Sequence, residues 1–365
     1  MQRTIVTACA LFAAQIVTAS DETAMLPWTV DDFVDQERAT EWVLSDDGAF
    51  ALWIKQTPDK KKDERVSALM LTDVAAGTHV KLTAGNVSAS APAFGPDGLR
   101  ATYLSRRDPP PGEKPLDEED AGSQLWQLDR RGGDAIQLTS IPGGVTSYAW
   151  CDDGSILLVA RERRTRRELE LLEKKDDTRV IEAEAPFRDE AKQLFRFDPK
   201  KRELKRVTKD YGPVEQFAAS PNGRFVVALH AQSPSYEAEG VDPPRCLLHD
   251  LTNDSSVEVF ADRKNRPRAF YWRPDSLGFY CIYPESTVDG EDSGAVFLVK
   301  HIDADSGDVT DVPLDWERGV NSPFVVTADG FVAGLADGVH RKLVRYHREV
   351  GGHRRQDVTG ADAVR

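Results

Sequence analysis

The residues best able to do chemistry are carboxylates in short runs. Asp303-Ala304-Asp305-Ser306-Gly307-Asp308 and Asp289 to Asp292 have the oxygen density that a hard cation such as calcium requires. Neither run is followed by the bidentate Glu of an EF-hand, and a hairpin turn accounts for Asp303 to Asp308 without metal. Asp117-Glu118-Glu119-Asp120 could grip the amino terminus of a peptide, but it follows Pro109-Pro110-Pro111 and reads as a solvated loop. Of the seven histidines, His340 and His347 are the nearest informative pair, and their spacing puts them on opposite faces of a strand. Cys151, Cys246 and Cys281 lie 95 and 35 residues apart, which is no metal-ligand spacing. They permit at most one disulfide, and they fall in strand-like runs where a thiol packs as a small hydrophobe. No phosphate-binding glycine loop precedes a helix. No catalytic, metal or cofactor residue is therefore assigned.

The elements that must carry these groups repeat. Six times a β-like run ends in a tight turn and restarts as a second apolar run. The turns are Ser45-Asp46-Asp47-Gly48, Gly95-Pro96-Asp97-Gly98, Cys151-Asp152-Asp153-Gly154, Ser220-Pro221-Asn222-Gly223, Arg273-Pro274-Asp275-Ser276 and Thr327-Ala328-Asp329-Gly330. Their last residues are 50, 56, 69, 53 and 54 positions apart, the period of one propeller blade per repeat. A third run then ends near a polar residue, and a fourth ends in Leu82-Thr83, Leu138-Thr139, Val207-Thr208 or Val358-Thr359. Blades 4 and 5 depart from this, with Val259-Phe260, Val312-Pro313 and Ser276 in place of the Thr and Gly.

The pattern predicts an all-β fold, a β-propeller of about six four-stranded blades or an incomplete seven-bladed ring, with a short N-terminal helix. The blades are expected near 42–84, 90–140, 145–209, 214–262, 267–316 and 321–360, after a lead-in over 20–41. Thr29 is a candidate N-cap, with Asp32 at N3, for a helix over Thr29 to Glu41. Asp108 to Gly122 reads as a solvated loop. Arg161 to Lys192 is a charged insertion that is either a helix centred on Arg166 to Lys175 or a hairpin extension.

A net charge of −14 argues against nucleic acid or an anionic membrane as a partner. Residues 1–19 read as a signal peptide, with Arg3 as n-region, Ile5 to Val17 as h-region and cleavage after Ala19. Export to a periplasm or the extracellular space follows, and no later run is long and apolar enough to span a bilayer.

The lead-in Trp28-Thr29-Val30-Asp31-Asp32-Phe33 followed by Trp42 to Gly48 resembles the propeller start of prolyl-oligopeptidase-type serine peptidases, of the acylaminoacyl-peptidase and dipeptidyl-peptidase branch. Ser123-Gln124-Leu125-Trp126, Gly132-Gly133-Asp134 and Gln137-Leu138-Thr139 are similar to its second blade, and Gly143 to Trp150 to the start of its third. The charged insert with Lys174-Lys175-Asp176-Asp177 before Gln193-Leu194-Phe195 is similar as well. TolB-like propellers share the turn motif alone. The resemblance implies a ring of about seven blades preceding an α/β-hydrolase domain with a Ser, Asp and His triad. That nucleophile requires G-x-S-x-G, and no serine here has glycine at both −2 and +2, so no triad position transfers. Two functions are expected. In one, the chain is the non-catalytic propeller of an exported peptidase, gating peptides toward a hydrolase domain or separate catalytic chain. In the other, it is a stand-alone module that binds a peptide or protein at a ring mouth. An incomplete ring would leave open sheet edges, so the isolated chain is expected to re-close as six blades or to be poorly soluble.

Overall fold

The structure is a computed structural model that describes residues 28–83, 87–109, 116, 122–161, 169–170, 173–174, 192–208, 212–232, 243–262, 265–286, 295–338 and 340–358. Residues 1–19, read above as a signal peptide, and Asp117 to Asp120, Asp289 to Asp292 and Thr359 lie outside them. A helix of five residues, α1 (Val30–Val34), leads into six four-stranded antiparallel sheets. Blade 1 is β1 (Arg38–Leu44), β2 (Phe50–Asp59), β3 (Glu64–Asp73) and β4 (Thr78–Lys81). Blade 2 is β5 (Ser90–Phe94), β6 (Arg100–Ser105), β7 (Gln124–Asp129) and β8 (Ile136–Gln137). Blade 3 is β9 (Val145–Trp150), β10 (Ile156–Arg161), β11 (Lys192–Asp198) and β12 (Glu203–Arg206). Blade 4 is β13 (Val214–Ala219), β14 (Phe225–His230), β15 (Arg245–Asp250) and β16 (Ser255–Val259). Blade 5 is β17 (Ala269–Trp272), β18 (Gly278–Glu285), β19 (Val296–Asp303) and β20 (Val309–Asp311). Blade 6 is β21 (Val320–Thr327), β22 (Gly330–Asp337), β23 (His340–Glu349) and β24 (Gly352–Asp357).

The predicted capping box is present: Thr29 N–H donates to Asp32 Oδ2 at 2.8 Å, and Asp32 N–H donates to Thr29 Oγ1 at 3.2 Å. The helix is shorter than expected, because Arg38 already pairs with Gln56 in the first ladder. In the charged insertion, Leu169, Glu170, Glu173 and Lys174 have helical geometry, and the rest of that segment lies outside the described residues.

Local chemistry explains the repeat. In blades 1 to 5 the fourth turn residue donates its N–H to the first turn carbonyl, as from Gly48 to Ser45 at 2.8 Å and from Gly154 to Cys151 at 2.9 Å. It sits at positive φ, +67° at Gly48 and +66° at Gly223, where glycine is unstrained. The third residue caps the restart: Asp47, Asp97, Asp153, Asn222 and Asp275 each accept, at Oδ1, the N–H two positions on. Ser276 holds the glycine position at φ +59°, and its hydroxyl accepts the Asn222 N–H of the preceding blade at 3.1 Å. The exception to glycine thus ties two blades together.

The Leu-Thr pairs close the outer ladder. Thr83, Thr139 and Thr208 each accept at Oγ1 from the N–H of Leu69, Leu125 and Leu194. Thr139 Oγ1 also donates to Gln124 Oε1 at 2.9 Å, and Thr208 Oγ1 to Gln193 Oε1 at 3.0 Å. Thr139→Val keeps the shape and removes the acceptor, leaving the buried Leu125 N–H unpaired. Urea denaturation is expected to show a loss of about 1–3 kcal/mol.

First strands are innermost, since β1 meets β5, β13 meets β9 and β17, and β17 meets β21. Fourth strands form the outer edge, where β4 and β20 are exposed throughout. Apolar side chains then fill the space between successive blades. Leu52 and Ile54 meet Tyr103 and Trp126; Leu125 meets Ile156 and Phe195; Leu157 and Leu194 meet Val226. Val227 and Leu229 meet Phe279 and Ile302, and Tyr280 and Val299 meet Phe331 and Val344. Among the described residues no such cluster joins blade 6 to blade 1. Trp42 and Leu44 on blade 1 remain 55% and 62% exposed. Among the described residues the ring has six blades and five packed seams.

Candidate functional site

Antiparallel strands place alternate connections at opposite ends of a blade. The six turns therefore share one rim, and the second strands end at the other. On the turn rim, the turns of four neighbouring blades enclose a pocket of about 490 Å³. Blade 1 supplies Asp46 and Asp47, blade 2 Phe94, Pro96, Asp97 and Arg130, blade 3 Trp150, Cys151 and Asp152, and blade 4 Ala219 and Pro221.

The turn chemistry sorts these carboxylates. Asp47 is structural: the Ser45 hydroxyl and the Ala49 N–H hold its carboxyl below the usual carboxylate range. Asp97 is structural as well. Burial opposes its ionisation, but the Arg100 and Leu99 N–H groups and the Arg100 guanidinium outweigh this, and its pKa is lowered. Asp46 and Asp152 occupy the second turn position, where blades 2, 4 and 5 carry Pro96, Pro221 and Pro274. Proline suits that position because its φ is already set. Among the described residues neither the Asp46 nor the Asp152 carboxylate has a hydrogen-bond or ion-pair partner, and both residues are exposed. They are surplus to the fold and stand at the pocket rim. The Asp152 backbone N–H donates to Pro221 O at 2.9 Å, fixing the turns of blades 3 and 4 to each other.

The lining is otherwise apolar or committed. The Arg130 guanidinium lies 4.0 Å from the Phe50 ring centroid. Trp150 Nε1 donates to Thr102 Oγ1 of blade 2 at 3.0 Å, and Trp272 Nε1 reaches Ala218 O of blade 4 at 2.9 Å, so indoles brace successive inner strands. The Cys151 thiol is buried, and burial pushes its pKa up, which disfavours the nucleophilic thiolate. The pocket offers a net acidic, part-aromatic cup fit for an ammonium group carried on an apolar body.

The other predicted groups fall elsewhere. Asp303 accepts the Ser306 N–H at 2.9 Å and the Asp305 N–H at 3.1 Å, as a turn residue, and Asp305 pairs with Arg224. Among the described residues no group of three His, Cys, Asp or Glu side chains is arranged to hold a metal. His347 binds Asp329 and Gln356, both at 2.9 Å, while His340 lies on the opposite face of β23. Cys151, Cys246 and Cys281 are buried free thiols. Sequence reading passed over Asp46 and Asp152, although the available signal was aspartate where sister turns carry proline.

The fold is a six-bladed β-propeller with a pocket at its turn rim, and the sequence contains no G-x-S-x-G. The chain is similar to the propeller domain of prolyl-oligopeptidase-type serine peptidases. No family model matches the chain. An uncharacterized peptidase, YuxL of Bacillus subtilis, is 26% identical over 210 residues, which cover 54% of this chain and 30% of the relative. The acylaminoacyl peptidase of Pyrococcus horikoshii superposes with a TM-score of 0.61 at 15% identity, over 92% of this chain and 48% of that one. The propeller domain of the trilobed protease of Pyrococcus furiosus, described as having an open velcro topology, superposes with a TM-score of 0.54 at 12% identity, over 90% of this chain and 85% of that one. The two superpositions show the fold. The chain spans about half the length of the acylaminoacyl peptidase and 30% of the curated relative.

Proposed function

We propose that this chain is the peptide-handling propeller of an exported serine peptidase system, and that its turn-lined mouth holds the amino terminus of a peptide. The observation that carries the reading is the pair of surplus carboxylates, Asp46 and Asp152, at the rim of a part-aromatic pocket. The peptide ammonium meets these two groups while its first side chain rests on Phe94, Trp150 and Pro221. Gating toward a hydrolase domain is then steric: the ring admits chains narrow enough to thread it. The peptidase similarity over blades and sequence supports this ancestry.

Calorimetry with short peptides tests the reading. Peptides with a free amino terminus are expected to bind, and their acetylated forms to bind roughly tenfold more weakly. The double variant Asp46→Asn/Asp152→Asn should erase that difference, since exposed ion pairs contribute up to about 1 kcal/mol each. Equal affinity for free and acetylated peptides would sink the assignment.

The same pocket supports a second reading, a stand-alone module that binds a peptide or protein at the ring mouth, since its lining comes from blades 1 to 4 alone. On either reading a fluorophosphonate reagent is expected to leave the purified chain unlabelled by intact mass. Stoichiometric labelling of any serine would overturn both.

A further inference from the structure

The turn-rim pocket holds an unspent cation as well as two surplus carboxylates. Arg130 follows β7 on blade 2, and its backbone N–H donates to Leu99 O at 2.9 Å. Its guanidinium reaches blade 1 and lies 4.0 Å from the Phe50 ring centroid. That contact holds the group in place through its charge and uses no hydrogen-bond acceptor. Among the described residues the Arg130 guanidinium has no hydrogen-bond or ion-pair partner. Its neighbours differ: Arg131 is bound to Asp129 at 2.6 Å, and Arg100 to Asp97 at 2.7 Å.

Three carboxylates stand near Arg130 without reaching it. Asp46 and Asp47 line the same pocket from blade 1, and Asp129 precedes Arg130 in the chain. Asp47 Oδ1 accepts from the Ser45 hydroxyl at 2.6 Å and from the Ala49 N–H at 3.0 Å. Asp129 is taken by Arg131 through two hydrogen bonds. A half-buried guanidinium, braced on a ring and with its N–H fork open to a pocket, is a receptor for a carboxylate. At about 490 Å³ the pocket is roughly 10 Å across, the reach of about three extended residues.

We propose that the mouth takes a peptide of about three residues with both termini free, and that Arg130 holds its terminal carboxylate. The inference rests on the amino-terminal reading of Asp46 and Asp152 and supplies the other end of the same ligand. A longer chain presents a neutral amide at this point and leaves the guanidinium unmatched. Short peptides are therefore preferred to the ends of long ones. Asp47 and Asp129 oppose an incoming carboxylate, so the preference is modest and weakens with salt.

Calorimetry of the full chain with the tripeptide Phe-Ala-Ala, free, acetylated, amidated or blocked at both ends, tests the assignment. Amidation is expected to weaken binding about fivefold. A longer peptide that begins with the same residues should bind as the amide does. Arg130→Gln should erase the loss on amidation and keep the loss on acetylation. Arg130→Lys, which keeps the charge without the fork, should retain part of it. The ligand comparison needs no variant, so it stands whatever these substitutions do to the fold. Indifference to amidation while acetylation still weakens binding overturns this inference alone, as does an amidation loss undiminished in Arg130→Gln. A loss on amidation with none on acetylation sinks the amino-terminal reading instead. Binding of none of the forms overturns both.

Discussion

Gly330→Ala is expected to cost at least about 4 kcal/mol and to release blade 6 while blades 2 to 4 stay folded. Gly330 opens β22 at φ +153°, a backbone region that other residues scarcely enter. A Cβ there would stand 1.9 Å from the Tyr346 carbonyl oxygen and 3.2 Å from the Arg348 nitrogen. Both partners are backbone of β23, so no side chain can swing aside. The strand pair must separate where Gly330 faces His347, breaking the Arg348 N–H to Asp329 O bond. Blade 6 is held through one seam, Tyr280 and Val299 against Phe331, Ala333 and Val344, so a local break has little to oppose it. Hydrogen exchange read by mass spectrometry should show faster exchange across β23 and β24 and unchanged protection in β10 and β14. Gly48→Ala is the control, with φ +67° but nothing within 4 Å of the new Cβ, and should cost only about 1–2 kcal/mol. Parental stability in Gly330→Ala, or uniform loss of protection, would contradict the one-seam account.

Blade count was legible in the sequence because its signals are local. The third-position oxygen captures an N–H two residues away in blades 1 to 5, and the fourth position sits at positive φ, so Asp-Gly marks all six turns, four directly and two through Asn222 and Ser276. The Thr of each Leu-Thr pair was legible as a repeat but not as a role, since its partner, Leu125 for Thr139, lies 14 residues away across a ladder. Blade 6 shared the turn motif without sharing its geometry. Thr327 pairs directly with Gly330, and Asp329 is drawn off to Arg345 and His347, both far along the chain. The helix over Thr29 to Glu41 was overextended because Arg38 to Leu44 is claimed by β2, a tertiary demand that capping signals do not carry. The open seam was least legible of all. Trp42 looks like a core residue in any window, yet it stacks on the buried Trp53 and stays 55% exposed, because among the described residues no apolar cluster joins blade 1 to blade 6.

Among the described residues the lack of an apolar cluster between blades 6 and 1 changes how the ring is held. In a closed propeller each blade is clamped on two faces, and the loss of any one contact is shared. Here blades 1 and 6 are ends, so the seams between them act in series. Two of the seams carry histidines in place of purely apolar contact, which makes their strength depend on pH.

Stability is expected to fall by several kcal/mol as pH drops from about 6.5 to about 4, ahead of ordinary carboxylate titration. At the seam between blades 3 and 4, His230 Nε2 lies 3.1 Å from His249 Nε2, and His230 Nδ1 lies 3.1 Å from Gly212 O. With both rings neutral, His230 Nδ1–H donates to the carbonyl and its Nε2 accepts from His249. A further proton would set N–H against N–H, and Arg245 adds repulsion at His230. Burial, then the neighbouring His230, pushes His249 down to about 4. At the seam between blades 5 and 6, Tyr280 meets His353 Nε2 at 3.0 Å and Arg273 Nη1 meets His301 Nε2 at 3.3 Å. Arg348 and Asp275 complete that cluster, with Asp275 paired to Arg273, and Asp303 faces His301. Burial, then Arg273 and His353, pushes His301 down to about 4, and burial with Arg348 and Arg273 lowers His353. Each folded-state pKa lies below the unfolded value of about 6.5. Above that pH neither state binds the proton, and the stability is fully present. Between about 6.5 and 4 the unfolded chain binds more protons, so the native state loses ground as pH falls. Below about 4 the folded histidines protonate too and the slope flattens, leaving the carboxylates to act. His249, 5% exposed, contributes on the order of 3 kcal/mol, and the more open His301 less. Urea melts at pH 7 and pH 4.5 should show the fall, and His249→Gln should remove the largest share of it. Equal stability at the two pH values, or an undiminished fall in that variant, would place the acid sensitivity outside the seams.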